Sequence, residues 1–331
     1  MKRIAIICGG DSSEHDVSLR SGAGIYSFFH KEHYDCYVVD LKKGDWHVNL
    51  SDGSTANIDK NDFSFTVNGE KKTFDYAYIT IHGTPGETGQ LQGYFDLIGL
   101  PYSTGSVLVE SLTFDKFALN NYLRSFGISV AESILVRKGN ENSITDESIQ
   151  QTVGYPCFVK PAADGSSFGV SKVKSFADMP QALALAFGES SAVMIEAFLD
   201  GTEVTQGIYK TKEKSVVFPA TEVVTQNEFF DYDAKYNGQV EEITPARLSS
   251  DVAARLEKIT RAIYDILHAN GIIRVDYIIS KTADGADKIN VLEINTTPGM
   301  TATSFIPQQV KAAGLTMGDV LADIVENQIG K

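Results

Sequence analysis

A five-residue apolar run at 4–8 stops at Gly9-Gly10-Asp11, and a helix-period stretch from Val17 separates it from the next apolar run at 34–41. A third run, 76–81, ends at His82-Gly83. Strands alternating with helices in this order give a parallel α/β sheet, with functional loops at the C-terminal ends of its strands. Residues 44–74 break the alternation with polar, turn-rich sequence and read as a hairpin excursion.

From about residue 105 the texture changes. A helix begins near Asp115, a strand covers 134–137, and Val159-Lys160-Pro161 ends another before the loop 164–169. Helix 176–187 and strand 193–198 follow, then strands at 203–210 and 215–224 and a polar loop at 225–242. Val252, Leu256, Ile259, Ile263, Ile266 and Leu267 recur at helical spacing and predict a helix over 251–269. Strands at 272–279 and 289–294 close the pattern. No repeat or proline-rich linker divides the chain, so three units, 1–104, 105–195 and 196–331, are expected to pack together.

Composition narrows the function. The 331 residues are 43% apolar and 22% charged, enough for more than one core. With 29 Lys and Arg against 43 Asp and Glu, the net charge of −14 repels a phosphate backbone and excludes a nucleic-acid platform. The start Met1-Lys2-Arg3 looks like a leader peptide, but its apolar run is too short, and no other run approaches the ~18 residues of a membrane span. Cys8, Cys36 and Cys157 are widely spaced in apparent strands, which suggests neither disulfides nor zinc and fits a reducing cytoplasm.

Asp284-Gly285 is a two-residue hairpin pattern. Centred there, the turn sets Asp276 opposite Glu293 and Arg274 opposite Asn295, and alternation puts all four on one face, with Val275, Ile278, Val291 and Ile294 implying a buried opposite face. Two carboxylates and an amide oxygen suit a hard divalent cation that keeps positions for phosphate oxygens; a solvent-facing polar stripe is the plain alternative. Lys160 followed by Gly165-Ser166-Ser167-Phe168-Gly169 suits phosphates, although the Walker A spacing is absent and an ordinary turn fits equally. Lys116 and Lys235 taken alone read as surface lysines. Glu196 to Glu203 joins two strands and offers main-chain groups to an adenine edge and Glu203 to ribose hydroxyls, or is a plain linker.

Together these segments resemble the ATP-grasp ligases. Gly9-Gly10-x3-Glu14-His15-x-Val17-Ser18, the run from His82 to Gly93, Asp231-Tyr232-x-Ala234-Lys235-Tyr236 and Asn295-Thr296-x-Pro298-Gly299-Met300-Thr301 are similar to the D-alanine:D-alanine ligase family. That resemblance implies an N-terminal parallel α/β domain followed by a two-part ATP-grasp fold. It implies ATP as co-substrate, two Mg2+ ions with Mn2+ as substitute, and joining of two D-alanines through an acyl phosphate. It assigns Lys116, Lys160 and Lys235 to phosphates; Glu196, Leu199 and Glu203 to adenosine; and Asp276, Glu293 and Asn295 to metal. Arg274 and the Gly299 N–H would stabilise the oxyanion, Glu14 and His82 would flank the first substrate, and Ser304 would receive the second substrate's carboxylate. Ser166 and Tyr236 would close a lid onto Glu14.

Read alone, Glu14 is helix-capping polarity, Ser304 an N-cap, His82 a structural histidine, Ser166 a turn serine and Tyr236 a loop aromatic. Ile273, Phe168 and Phe305 depart from the usual family residues. D-Serine or D-lactate as second substrate, and a nucleotide-binding protein without turnover, stay open, as does a homodimer. A nicotinamide dehydrogenase is excluded by the missing Gly-x-Gly-x2-Gly.

Overall fold

A computed structural model describes residues 1–163, 168–225 and 240–329, and three sheets organise them. In the first, β1 (Lys2–Gly9) lies between β2 (Tyr34–Lys42) and β7 (Tyr76–Ile79), all parallel. Ile4 through Cys8 are fully buried because this central strand is covered on both faces. Ile4 and Ile6 pack with Ile25 of α1 (His15–Phe28), whereas Ala5 and Ile7 meet Phe63, Phe65 and Phe95.

The excursion at 44–74 is larger than a hairpin. It forms β3 (Asp45–Asn49), β4 (Thr55–Asp59), β5 (Ser64–Val67) and β6 (Glu70–Lys72), an antiparallel meander that continues the same sheet beyond β2. The sheet is therefore parallel at three of its strands only. Helices α2 (Gln90–Ile98), α3 (Val107–Phe114) and α4 (Lys116–Ser125) lead away from it. Asp115 caps α4 by accepting from the Ala118 N–H at 2.9 Å, which fixes Lys116 in its first turn.

The second sheet is antiparallel, in the order β10 (Ser171–Val173), β9 (Cys157–Pro161), β11 (Ala192–Ala197), β8 (Ser133–Arg137). Its apolar face, with Val159, Val193 and Ile195, packs on Met179, Leu183 and Ala186 of α6 (Met179–Glu189); α5 (Asp146–Thr152) adds Ile149. The helix expected at 176–187 opens with a 3-10 turn, Phe176–Asp178, ahead of the α-helical part.

The third sheet runs β15 (Val240–Ile243), β14 (Thr221–Thr225), β12 (Gly201–Lys210), β16 (Ile272–Lys281), β17 (Asp287–Asn295), with β13 (Ser215–Val217) also on β12. The single strand expected at 215–224 is thus two. Pro219 has no N–H for the ladder, and the chain breaks there while Phe218 still donates to the Gly207 carbonyl at 2.9 Å. Val275, Tyr277 and Ile279 face the long helix α7 (Ser250–Leu267), whose Leu256, Ile263 and Leu267 are buried against them. Helices α8 (Phe305–Ala312) and α9 (Met317–Gln328) pack back onto α1 and β1 through Ile306, Leu321 and Ile324. Among the described residues the three cysteines are unpaired, and no helix is long and apolar enough to cross a membrane.

Candidate active site

The metal-site expectation rests on how β16 meets β17. Asp276 pairs with Glu293 and Arg274 with Asn295, as expected, but not because of a two-residue turn. The loop spans 282–286 and closes through Thr282 N–H to the Ala286 carbonyl at 2.9 Å, which offsets the pairing by one residue. A β-bulge then leaves Leu292 without an opposite residue and restores the register at Asp276. The two offsets cancel at the residues that matter. Ile278 was expected on the buried side; alternation puts it on the Asp276 face, and it is only half-buried, whereas Val275, Val291 and Ile294 are in the core.

Both oxygens of Asp276 are committed. Oδ1 accepts from Thr205 Oγ1 at 2.5 Å and Arg274 Nε at 2.9 Å; Oδ2 accepts from Arg274 Nη2 at 2.8 Å and Asn295 Nδ2 at 3.0 Å. Arg274 is thus a bidentate partner of Asp276, which leaves its two Nη1 hydrogens and one on Nη2 for another anion. Withdrawal from water disfavours its charge, but Asp276, Glu293 and Glu203 outweigh that and hold the guanidinium above its ordinary range. Glu203 pairs with Ile278 and Thr205 with Asp276, so Glu203, Thr205, Asp276 and Arg274 line one continuous face. Among the described residues no group of three or more His, Cys, Asp or Glu is arranged for a metal; the set here is two carboxylates and an amide.

On the second sheet Lys160 and Glu196 share the polar face. Their side chains meet at 2.5 Å, diagonally across neighbouring strands, both nearly buried. Asn120 of α4 donates to the other Glu196 oxygen at 3.1 Å, and its own Oδ1 is buried with no partner among the described residues. Lys116 N–H donates to the Ala162 carbonyl at 2.8 Å, which sets the start of α4 beside the strand end that carries Lys160. Leu199 lies half-buried in the short link between β11 and β12.

The third group surrounds the end of β1. Gly9 and Gly10 both take positive φ, +92° and +98°, and a Cβ on Gly10 would lie 2.6 Å from Ile81. Ser18 Oγ accepts from the Gly9 N–H at 3.0 Å and donates to the Thr80 carbonyl at 2.7 Å, which explains the serine in that motif. Glu14 occupies the N-cap position of α1 without making a side-chain cap, so it is not spent on the helix. Withdrawal from water lowers the His82 pKa; the Glu14 carboxylate opposes that shift and the Arg274 guanidinium reinforces it. Burial raises the Glu87 carboxyl to about 7, with Gly83 N–H donating to it at 2.7 Å, Glu14 adding to the rise and Lys116 opposing it. Glu14, His82, Glu87, Lys116 and Arg274 therefore share one electrostatic neighbourhood, although they are far apart in the chain.

Gly24 of α1 lies so close to the loop after β17 that a Cβ there would be 2.3 Å from the Met300 carbonyl. That contact brings Gly299 beside α1. Ser304 holds the N-cap position of α8 but does not cap it; its Oγ faces the Thr301 N–H at 3.1 Å and lies 3.0 Å from where a Gly299 Cβ would be. Phe305 covers Arg274 with its ring centroid 5.3 Å from the guanidinium carbon. Ser166, Lys235 and Tyr236 lie outside the described residues.

Sequence reasoning missed Thr205, Asn120 and Glu110, and quoted Glu87 without a role. Thr205 was within reach, being two residues along a strand from Glu203, and Asn120 is four residues after Lys116 on one helix face. Nothing local marks Glu110.

Residues 3–106 match the family described as D-ala D-ala ligase N-terminus, and residues 122–326 that described as D-ala D-ala ligase C-terminus. The chain belongs to the D-alanine–D-alanine ligase family. It is 62% identical to the D-alanine–D-alanine ligase of Phocaeicola vulgatus over 99% of this chain and 100% of that one, and 50% identical to that of Porphyromonas gingivalis over 99% and 98%. In structure it is similar to the VanG D-Ala:D-Ser ligase from Enterococcus faecalis (TM-score 0.86, 28% identity, 98% of each chain). It is also similar to D-alanyl-alanine synthetase A from Vibrio cholerae (TM-score 0.88, 25% identity, 100% of this chain and 99% of that one). This D-alanine–D-alanine ligase family member is thus an ATP-dependent ligase with the ATP-grasp fold.

Proposed function

We propose that the enzyme condenses two D-alanines into D-alanyl-D-alanine for peptidoglycan precursors, through an acyl phosphate. The γ-phosphoryl group of ATP moves to a carboxylate oxygen of the first D-alanine, releasing ADP. The amine of the second D-alanine then attacks that carbonyl, a proton is lost and phosphate leaves. The observation that carries this reading is the neighbourhood of Arg274, whose charge is held by Asp276, Glu293 and Glu203 and acts on His82 together with Glu14. On this reading one charged neighbourhood holds carboxylates for the metal, a cation for developing negative charge and a carboxylate for an ammonium group.

Glu14 holds the first substrate's ammonium group, with His82 beside it. Arg274, through its uncommitted Nη1, and the Gly299 N–H face the tetrahedral oxyanion, where fixed donors cost no reorganisation. Ser304 receives the carboxylate of the second substrate. Lys116, Lys160 and Lys235 contact phosphates, and Glu196, Leu199 and Glu203 hold adenosine; the unpartnered Asn120 Oδ1 beside Glu196 is acceptor capacity left for a base amine. Ser166 and Tyr236 close the lid and keep water from the intermediate.

Asp276, Glu293 and Asn295 offer oxygen donors only, which fits Mg2+ or Mn2+. An ion ligated by Asp276 must replace one of its four protein donors, and Asn295 can yield without leaving by turning its amide so that Oδ1 replaces Nδ2. Bound there, two such ions would neutralise charge on the transferring phosphoryl group. The units 1–104, 105–195 and 196–331 divide as first-substrate side, central ATP-grasp subdomain and C-terminal ATP-grasp subdomain with the metal site, and the nucleotide lies between the last two. ATP as co-substrate and free cysteines support a cytoplasmic enzyme.

The test is incubation with ATP, Mg2+ and D-alanine, followed by mass detection of the dipeptide and measurement of ADP. Dipeptide from D-alanine and none from L-alanine is expected. Preferential incorporation of D-serine as second residue would overturn the assignment of the acceptor, and ATP binding with no dipeptide would overturn the activity.

A further inference from the structure

Glu110 of α3 is a fully buried carboxyl, and the proposed reaction gives it no part. One oxygen accepts from the Gly105 N–H at 2.8 Å and the other from the hydroxyl of Thr296. Thr296 is itself only 4% exposed and directly follows Asn295 at the end of β17. The next hydroxyl, on Thr297, donates to the Ile81 carbonyl at 3.0 Å, immediately before His82. The Gly105 side of the link is anchored in turn. Thr104 accepts from Gln92 Nε2 at 2.8 Å through its hydroxyl and from Asn270 Nδ2 at 3.2 Å through its carbonyl.

A leucine at 110 would fill such a site without the cost of burying a carboxyl, so hydrogen bonding must justify the residue. Burial pushes the Glu110 pKa well above the carboxylate range, and nearby Glu87 adds to the rise, while Thr296 and Gly105 oppose it. A neutral acid keeps both links, since it can accept from Gly105 and share a proton with the threonine hydroxyl.

We propose that Glu110 is a positioning residue that, through Thr296, fixes the metal-binding end of β17 and the Gly299 loop relative to the first-substrate side. The proposal rests on the reading of Asn295 as a metal ligand. Two consecutive threonines tie the strand end to Glu110 and to the His82 loop, so Asn295 and the Gly299 N–H cannot swing independently of the pocket that holds the first D-alanine. Groups that orient a ligand in this way typically alter metal affinity or activity by 10–100-fold when removed.

The experiment measures Mn2+ binding by calorimetry to the full-length enzyme saturated with a non-hydrolysable ATP analogue, alongside kcat and the KM for each substrate. Thr296→Val, which keeps shape and removes only the hydroxyl, should weaken Mn2+ binding by about tenfold or more and lower kcat, and Glu110→Ala should do the same. Thr296→Ser and Glu110→Gln, which preserve the hydrogen bonds, should restore the affinity to within about threefold. Thr296→Val decides the matter even if Glu110→Ala does not fold. Asn295→Ala separates the two readings. If it weakens Mn2+ binding while Thr296→Val and Glu110→Ala bind as the parent does, Glu110 only fills space and the proposal falls. If Asn295→Ala also binds normally, the metal reading falls and this one with it.

Discussion

Lys160–Glu196 and Arg274–Asp276 are both pairs of opposite charge on the polar faces of their sheets, and they are built differently. The first joins two strands through one contact between two flexible side chains, with Asn120 also donating to Glu196. The second joins residues two apart on one strand through two parallel N–H bonds, with Thr205 and Asn295 completing the carboxylate. A lysine ammonium is a point charge that can change partner when a triphosphate arrives, whereas a bidentate guanidinium held by its own strand is fixed before any ligand binds. Under the proposed assignments, the Lys160–Glu196 side exchanges contacts when the nucleotide binds and the Arg274–Asp276 side holds them.

The comparison breaks most sharply at the metal side. Glu293→Gln should cut phosphate release by more than about 100-fold, beyond the loss typical of groups that only orient a ligand; normal turnover would remove Glu293 from the metal set. Asp276→Ala should destabilise the protein by about 3–5 kcal/mol, because it strands the largely buried Arg274 charge, and ATP should not restore the lost stability. Denaturant titration with and without ATP reads both quantities.

Glu196→Ala leaves Lys160 without its partner, and the apo protein should lose about 3 kcal/mol. Here the phosphates should recover part of the loss by replacing the carboxylate beside Lys160, and thermal unfolding should show that inorganic triphosphate restores stability that adenosine does not. Recovery by adenosine and none by triphosphate would mean that Lys160 does not change partner.

Titration near the first-substrate loop sharpens the same contrast. Glu87 has its pKa raised to about 7, so between its ordinary 4.5 and that value the folded state holds a proton the unfolded chain has released. Its contribution to stability therefore falls as pH rises through that window. His82 is lowered from 6.5, so its contribution rises with pH up to 6.5 and is lost as pH falls through the folded value. Glu87→Gln should turn the net slope of stability near pH 6 upward, and His82→Asn should steepen its decline. An unchanged slope in Glu87→Gln would show that this carboxyl titrates normally. The smallest effect is at Phe305: Phe305→Leu removes a ring face over Arg274 worth about 0.5–1 kcal/mol and should raise the KM for the second D-alanine only about two- to fivefold.

How much could be read beforehand depends on the range of the interaction. Alternation put Arg274, Asp276, Glu293 and Asn295 on one face correctly, although the turn spans 282–286 and the Leu292 bulge, invisible in composition, restored the pairing. The helix at 251–269 was legible within two residues because its period is local, and Ser249 and His268 end it where the apolar stripe ends. The meander at 45–72 was underestimated because short polar strands carry little pattern, and each is recognised by the neighbour it pairs with.

The amino-acid order by itself determined the strand and helix periods, the glycine turn after β1, the shared face of the β16–β17 residues and the family resemblance, since each depends on spacings of a few residues or on motifs in series. Tertiary structure alone decided that Thr205 reaches Asp276, that Glu14, His82 and Lys116 meet in one field, and that Glu110 reaches Thr296. Those contacts join residues far apart in the chain, and their energies come from desolvation and charge proximity, which exist only once the units have closed on one another.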